Sequence, residues 1–310
     1  MSKGAAVTVA VPVLNEEATI ARCLDAIVGQ SYDDIVEVLV VDGGSTDATV
    51  AIAGRYPNVR LLQNPLRRQA HALNIALEEA KGDILIRVDG HAFIERDYVT
   101  RCVEVLRSTG AALVGGVVLP EGAGWIGEGI AAAMQSPFGA GPARFRCGGR
   151  AGWVDTVAFG AYHVDVARSV GGYDVGDVSE DSEFAFRMRR VGGVWFDPTI
   201  RSTYVSRGDL RGLATQYYRY GRMRSSTLRR EPASMRPRQL ASPLLVLGLL
   251  SPWRRRVGMA YALVLLVAAL RERRFPRRLP GLLLATPVMH ATWGAGFLRG
   301  FLGTGHGKRC

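Results

Sequence analysis

Cysteine is scarce in this chain: four stand among 310 residues, at Cys23, Cys102, Cys147 and Cys310, and no two form a C-x-x-C pair. That spacing makes neither a disulfide framework nor a zinc site, and the residues read as reduced cytosolic thiols. Met1-Ser2-Lys3-Gly4 runs straight into a strand pattern, so no secretory signal peptide is expected. No internal repeat or low-complexity tract occurs, which excludes repeat architectures. A clean transmembrane helix needs about 20 apolar residues. Only residues 279–302 approach that length, and they contain Pro280, Pro287, His290 and Arg299.

Acidic residues nearly vanish from the last third. Residues 201–310 hold 21 Lys and Arg against 3 Asp and Glu, whereas the first 200 hold 18 against 25. The net charge of +11 therefore belongs to a basic tail behind a mildly acidic amino-terminal part. Such asymmetry points to an anionic surface, either nucleic acid or the cytoplasmic face of a membrane. The apolar runs between the arginines decide for the membrane and against nucleic acid. Nucleic-acid arms are polar and lack a stretch such as residues 257–267, Val-Gly-Met-Ala-Tyr-Ala-Leu-Val-Leu-Leu-Val.

What the first 120 residues do contain is alternation, in a chain long enough for a full α/β domain and something more. Strand signals cover residues 7–14, 36–41, 84–88 and 111–119. Helical signals cover 16–28, with Asn15 as N-cap, 47–55, with Asp47 as cap, and 67–81, with Gly82 just past the end. Strands alternating with helices of 10–15 residues imply parallel βαβ units. From 122 to 152 the composition shifts to Gly, Ala and Pro, predicting a helix at 125–134 and then a mobile loop. Strand signals return at 153–159 and at 194–196, the latter extending irregularly toward 205.

Carboxylates mark the ends of two strands, Asp42 after residues 38–41 and Asp89 after 84–88. Carboxyl ends of strands in an open α/β sheet face the crevice where nucleotides bind. Asp42, in Asp42-Gly43-Gly44-Ser45-Thr46-Asp47, can accept hydrogen bonds from a uracil N–H edge or ribose hydroxyls. The same residues are also ordinary turn composition. Asp89-Gly90-His91 can hold one divalent ion through a carboxylate and an imidazole, or can be a loop aspartate beside an exposed histidine. Ser179-Glu180-Asp181-Ser182-Glu183 opens an amphipathic stretch and supplies a candidate general base. Arg68 and Asn74, on the helix leading to the Asp89 strand, can face a nucleotide, while His71 reads as surface or packing. Trp153 and Tyr162 can stack on a sugar, with a core role as the alternative for Trp153.

The ordered set Pro12/Asn15/Glu16, Asp42 to Asp47, Asp89-Gly90-His91, Glu180-Asp181 and Gln216-Tyr217-Tyr218-Arg219-Tyr220 resembles the family 2 inverting glycosyltransferases of the GT-A fold. Residues 87–91, 157–162 and 216–221 resemble in particular the ExoA-like succinoglycan-type exopolysaccharide glucosyltransferases. The likeness covers about residues 5–225 and is weaker at 290–300. It implies an α/β GT-A domain with a Rossmann-like, mostly parallel sheet. It implies that Pro12, Asn15, Glu16 and Asp42 hold the nucleoside and that Asp89 lies near the sugar and diphosphate. His91 stands where many members have a second acid, so Asp89 and His91 together imply Mn²⁺ or Mg²⁺. Asp181 matches the general base. Gln216, Arg219 and Tyr220 resemble the Q-x-x-R-W motif of processive synthases, with Tyr for Trp. That departure and the short tail argue against a processive synthase.

Three regions follow: a catalytic domain at 1–205, a basic amphipathic joint at 206–238, and an apolar helical membrane-associated region at 239–310. Apolar segments at 240–250, 257–270 and 279–302 lie between arginine clusters, predicting short hairpins that dip into the cytoplasmic leaflet with arginines snorkelling to headgroups. The expected activity is transfer of a hexose, glucose by the resemblance, from a UDP-sugar to a polyprenyl-diphosphate-linked acceptor at the cytoplasmic membrane. The alternatives are direct transfer to polyprenyl phosphate, and a non-catalytic module that binds nucleotide sugar. The intact Glu180-Asp181 pair argues against the last, because a binding module has no use for a base.

Overall fold

The computed structural model describes residues 4–176, 179–271 and 278–302. The chain divides into two compact units: the first runs up to Leu119 and adds Cys147–Gly176 and Glu180–Val205, and the second takes Pro120–Arg146 and the chain from Ser206 onward. In order, the elements are β1 (Val7–Val13), α1 (Ile20–Val28), β2 (Ile35–Asp42), α2 (Thr49–Ala53), β3 (Val59–Gln63), α3 (Gln69–Glu79), β4 (Ile84–Arg87), β5 (Ala92–Ile94), α4 (Tyr98–Thr109) and β6 (Leu113–Glu121). Then follow α5 (Gly124–Gln135), α6 (Pro137–Ala140), α7 (Arg144–Cys147), β7 (Gly152–Trp153), β8 (Ala161–His163), α8 (Val164–Ser169), α9 (Glu180–Val191) and β9 (Val194–Val205). The tail forms α10 (Leu210–Arg230), α11 (Ala241–Leu250), α12 (Arg254–Arg271) and α13 (Leu279–Leu302).

In the first unit, β1 is buried along its whole length, as a central parallel strand covered on both faces must be. Helix α1 buries Ile20, Cys23, Leu24 and Ile27, the one-face spacing of an amphipathic helix, against that sheet. It begins at Ile20 rather than at Glu16, because residues 16–19 first form a turn, closed by the Thr19 N–H on the Glu16 carbonyl at 2.9 Å.

The sheet runs β3-β2-β1-β4-β8-β6-β9-β5, with β7 paired to β9. Strand β1 is parallel to β2 and β4, and β2 to β3, but β8 is antiparallel to both β4 and β6. Strands β5 and β7 are antiparallel to β9. A mostly parallel sheet is therefore corrected to a mixed one. Apolar pattern does not encode strand direction, so a three-residue insertion such as β8 reads the same either way. Of the stretch at 153–159 only Trp153, the end of β7, is strand, and residues 136–152 hold α6 and α7 where a loop was expected.

The second unit is helical. Helix α13 packs against α10, α5 and α11. Glycines set the spacing: a Cβ on Gly221 of α10 would lie 2.0 Å from the carbonyl oxygen of Trp293, and one on Gly296 would lie 2.0 Å from that of Tyr218. Gly129 of α5 meets Gly281 in the same way. Among the described residues no helix is long and apolar enough to cross a membrane.

Close approach also governs the first unit's sheet, where a Cβ on Gly116 of β6 would sit 1.8 Å from the Ile200 carbonyl oxygen of β9. Gly116→Ala is expected to cost at least about 2 kcal/mol, at the upper end of overpacking penalties, because backbone rather than a side-chain tip must move. Chemical unfolding measures it, and an unchanged midpoint would mean that the two strands separate freely.

Candidate active site

Three loops at the carboxyl ends of β1, β2 and β4 form the site, in the position where parallel βαβ units present their ligands. The first two loops are knitted together. Asn15, at φ 55°, donates its backbone N–H to Ser45 Oγ at 2.9 Å and accepts the Thr46 N–H on its Oδ1 at 2.8 Å. Asparagine tolerates that left-handed backbone better than most residues. Glu17 and Asp47 exchange bonds the same way, Glu17 N–H to Asp47 Oδ2 and Ala48 N–H to Glu17 Oε2. Asp42 is buried and holds its own turn, with its carboxylate accepting from the backbone N–H groups of Gly44 and Ser45 and from Ser45 Oγ at 2.6 Å. Pro12 is buried on β1 opposite Val41.

The third loop comes against the first through Gly90, where a Cβ would lie 2.8 Å from Val13 Cγ1. That approach puts His91 Nδ1 2.8 Å from Glu16 Oε1, while Thr19 Oγ1 donates to Glu16 Oε2 at 2.9 Å. A neutral imidazole whose Nδ1–H donates to a carboxylate carries its lone pair on Nε2, the form that ligates metals. Glu16, expected at the nucleoside, thus orients His91.

Asp89 is buried, and two residues share its carboxylate. Arg87 donates from Nε to Oδ1 at 2.8 Å and from Nη2 to Oδ2 at 3.2 Å, and Gln69 Nε2 donates to Oδ1 at 3.0 Å. Burial pushes this carboxyl up, but the guanidinium and the hydrogen bonds outweigh it and hold the group below the usual range. The remaining guanidinium nitrogen, Nη1, donates to Oδ1 of Asp181 in the first turn of α9. Asp181 keeps 39% of its side chain exposed, which leaves it open to a second molecule. Partial desolvation raises its carboxyl, opposed by Arg87 and assisted by the Asp89 charge. Glu180 beside it is pushed up to about 7, by desolvation first and the Asp181 charge second. The two titrate as a pair.

The structure thus brings Asn15, Glu16 and Asp42 together in the knitted loops, and Asp89, His91 and Asp181 around Glu16 and Arg87. Arg68 and Asn74 are committed elsewhere. Arg68 Nη1 donates to the Val175 carbonyl at 2.6 Å, and Asn74 clamps Tyr173 through both its N–H and its C=O. Both therefore pin the loop that precedes α9. Tyr162 is fully buried against Tyr173 and Phe184 and offers no stacking face, whereas Trp153 is 56% exposed with its edge on Trp195. His71 packs, with Nδ1 2.7 Å from Asn64 Oδ1.

Gln216, Arg219 and Tyr220 lie on α10 in the second unit, on neighbouring turns as their spacing predicts. Gln216 Nε2 donates to the Tyr220 hydroxyl at 2.9 Å, and Arg219 is exposed. Arg224 is buried and donates to the Ser234 carbonyl and to Gln239 Oε1. Arg229 donates to the Gly300 carbonyl at 2.7 Å.

Sequence reasoning passed over Arg87 and Gln69. The signal for Arg87 was a charged residue ending an otherwise apolar strand, Ile84-Leu85-Ile86-Arg87, where a buried cation requires nearby anions. Gln69 carries no such signal, since nothing in its neighbourhood distinguishes it from a surface residue at a helix start.

A family model described as glycosyl transferase family 2 matches residues 8–171. The succinoglycan biosynthesis protein ExoA of Rhizobium meliloti is 30% identical over 312 residues, covering 95% of this chain and 94% of its own. A Methanococcus voltae enzyme, dolichyl N-acetyl-alpha-D-glucosaminyl phosphate 3-beta-D-2,3-diacetamido-2,3-dideoxy-beta-D-glucuronosyltransferase, is 26% identical over 72% of this chain and 74% of its own. Among solved structures, the mannosyltransferase PcManGT from Pyrobaculum calidifontis, in complex with GDP-Man and Mn²⁺, superposes with a TM-score of 0.64 at 22% identity. That match covers 97% of this chain and 88% of the other, and it shows a shared fold, the GT-A arrangement with a mixed sheet. By the family match over residues 8–171 and its likeness to ExoA along nearly its whole length, the chain is a transferase that belongs to glycosyl transferase family 2.

Proposed function

We propose that the protein transfers a hexose, glucose, with inversion from a UDP-sugar to a polyprenyl-diphosphate-linked saccharide during exopolysaccharide assembly. The observation that carries this reading is Asp181, an exposed carboxylate held by Arg87 beside the donor-side Asp89. The acceptor hydroxyl oxygen attacks the anomeric carbon as its proton passes to the second oxygen of Asp181. The bond from that carbon to the diphosphate breaks on the opposite side, and its electron pair leaves with the nucleotide. One displacement inverts the centre, so a single carboxylate suffices and no covalent intermediate forms. Asp42, Asn15 and Pro12 shape the nucleoside end, and Arg68 and Asn74 hold the loop before the base. The sugar assignment rests on the resemblance to succinoglycan-type glucosyltransferases, and the place in exopolysaccharide assembly on the relative in succinoglycan biosynthesis.

The residues fit a divalent cation. His91 is oriented by Glu16, and Asp89 Oδ2 accepts a single hydrogen bond and so has capacity for a second bond. Among the described residues no third His, Cys, Asp or Glu completes an all-protein site, so further ligands would be diphosphate oxygens and water. Mn²⁺ or Mg²⁺ held there would neutralise charge on the leaving diphosphate.

A place at the cytoplasmic face of a membrane is supported by α12. Its fourteen residues from 257 to 270 carry no charge, and Met259, Leu263 (63% exposed), Val264, Leu266 and Leu270 (70% exposed) face outward. Exposed arginines stand at both ends, at 254–256 and 271. The apolar length is about 21 Å at 1.5 Å per residue, short of a hydrocarbon core of roughly 30 Å. Embedding in one leaflet with arginines at the headgroups suits that length. Helix contacts made through glycines, as at Gly221 and Gly296, are also the packing that works in lipid.

Screening nucleotide sugars for thermal stabilisation, with GDP-mannose included, identifies the donor. With it, Asp181→Asn should keep donor binding and lose transfer by a factor on the order of 100 or more. Chelator should abolish transfer, with recovery on adding Mn²⁺ or Mg²⁺. Transfer by the Asn variant within a few-fold of the unaltered enzyme would remove Asp181 from the role.

Because desolvation pushes both carboxyls of the Glu180–Asp181 pair upward, the base takes up its proton at a pH above the ordinary carboxylate range. Turnover should drop about tenfold per pH unit below that point and level off above it. Glu180→Gln removes a like charge and should move the acid limb to lower pH. A limb near the ordinary carboxylate value of about 4 in the unaltered enzyme would refute the coupling.

Val264→Asp and Leu270→Asp change exposed positions and should leave folding intact. Binding to vesicles containing phosphatidylglycerol should weaken at least about tenfold, since a charge in the acyl region costs about 2.5–3.5 kcal/mol. Unchanged binding would exclude α12 as the lipid contact.

A further inference from the structure

We propose that Arg87 is a positioning residue of the transfer, a group that sets the base Asp181 relative to the donor-side Asp89. This rests on the transferase reading above and adds to it a residue outside the expected site. Arg87 is the last residue of β4, and its side chain is 5% exposed. A cation removed from water there must be matched by anions with good geometry. It meets two, on separate elements 94 residues apart in the case of Asp181. Nε and Nη2 take both oxygens of Asp89, and Nη1 takes Oδ1 of Asp181.

The planar guanidinium makes this more than charge balance. Its donors lie in one rigid fork, so gripping Asp89 through Nε and Nη2 fixes the direction in which Nη1 points. Nη1 then fixes the Asp181 carboxyl, with Oδ1 engaged and Oδ2 available to the acceptor hydroxyl. Arg87 remains protonated throughout and neither takes nor gives the reacting proton. The backbone contributes rigidity, because the Arg87 N–H is bonded to the Gly160 carbonyl of the loop entering β8 at 3.1 Å. Lysine at this position supplies one point charge and no fork, so it can neutralise the carboxylates without aligning them.

The experiment is a double-mutant cycle in the full chain with Arg87→Met, Arg87→Lys and Asp181→Asn, using the donor found by the thermal screen. Arg87→Met should lower kcat by about 100-fold, the usual cost of a reacting group misplaced by about 1 Å. The Arg87→Met/Asp181→Asn double variant should be at least tenfold faster than the product of the two single losses, since a base already misplaced has little left to lose. Arg87→Lys should recover part of the loss and bind the donor with a thermal shift like that of the unaltered chain. If Arg87→Met does not fold, Arg87→Lys and its double variant carry the cycle. Losses that multiply, or kcat within threefold of the unaltered enzyme in a folded variant, overturn the proposal for Arg87 while leaving the transferase intact. If no nucleotide sugar stabilises the unaltered chain, the transferase donor reading falls first, and this proposal with it.

Discussion

A guanidinium buried at the end of a central strand is the constraint around which the first unit's site is arranged. Arg87 cannot shed its charge, and burial removes the water that would otherwise solvate it. Its two anionic partners have to arrive from different elements, Asp89 two residues along the same turn and Asp181 from the start of α9. Holding α9 at that point depends in turn on the loop before it, which Asn74 and Arg68 clamp at Tyr173 and Val175. A single ion-pair triad therefore accounts for why residues scattered over about a hundred positions converge.

The neighbouring loops obey a different logic, that of satisfying backbone donors. Asp42, Asp47, Asn15 and Glu17 spend most of their hydrogen-bonding capacity on the N–H groups of turns. Their carboxylates and amides build the cradle and present backbone rather than reaching out as long side chains. Glu16 differs, because Gly90 lets the third loop come close enough for His91 to take its carboxylate. The carboxylate accepts from the ring, so the pairing fixes which imidazole nitrogen faces Glu16.

In the second unit the organising feature is absence of side chain. Glycines at 129, 221, 281 and 296 let α13 approach α5 and α10 to backbone contact, a packing that relies on dispersion and shape more than on expulsion of water. That leaves the larger apolar residues of α11 and α12 outward, among them Leu250, Met259 and Leu270. Helix α12 thus carries no charge between its terminal arginines while most of its surface is exposed.

By itself the sequence determined the family, the order of its motifs and the strand–helix alternation of β1 to β4, because those signals are local: buried strands are continuous apolar runs, and Asp-Gly turns follow them. It also located the helices of the tail, since apolar runs bounded by arginines are visible without a fold. Tertiary structure alone decided that the sheet is mixed, because three-residue strands such as β8 carry no directional signal. It alone decided that Glu16 serves His91, that Arg68 and Asn74 serve the loop before α9, and that Arg224 turns inward. Each of those outcomes is a choice of hydrogen-bond partner among groups far apart in the chain, and partner choice is settled by packing distance, which residue type and spacing do not encode.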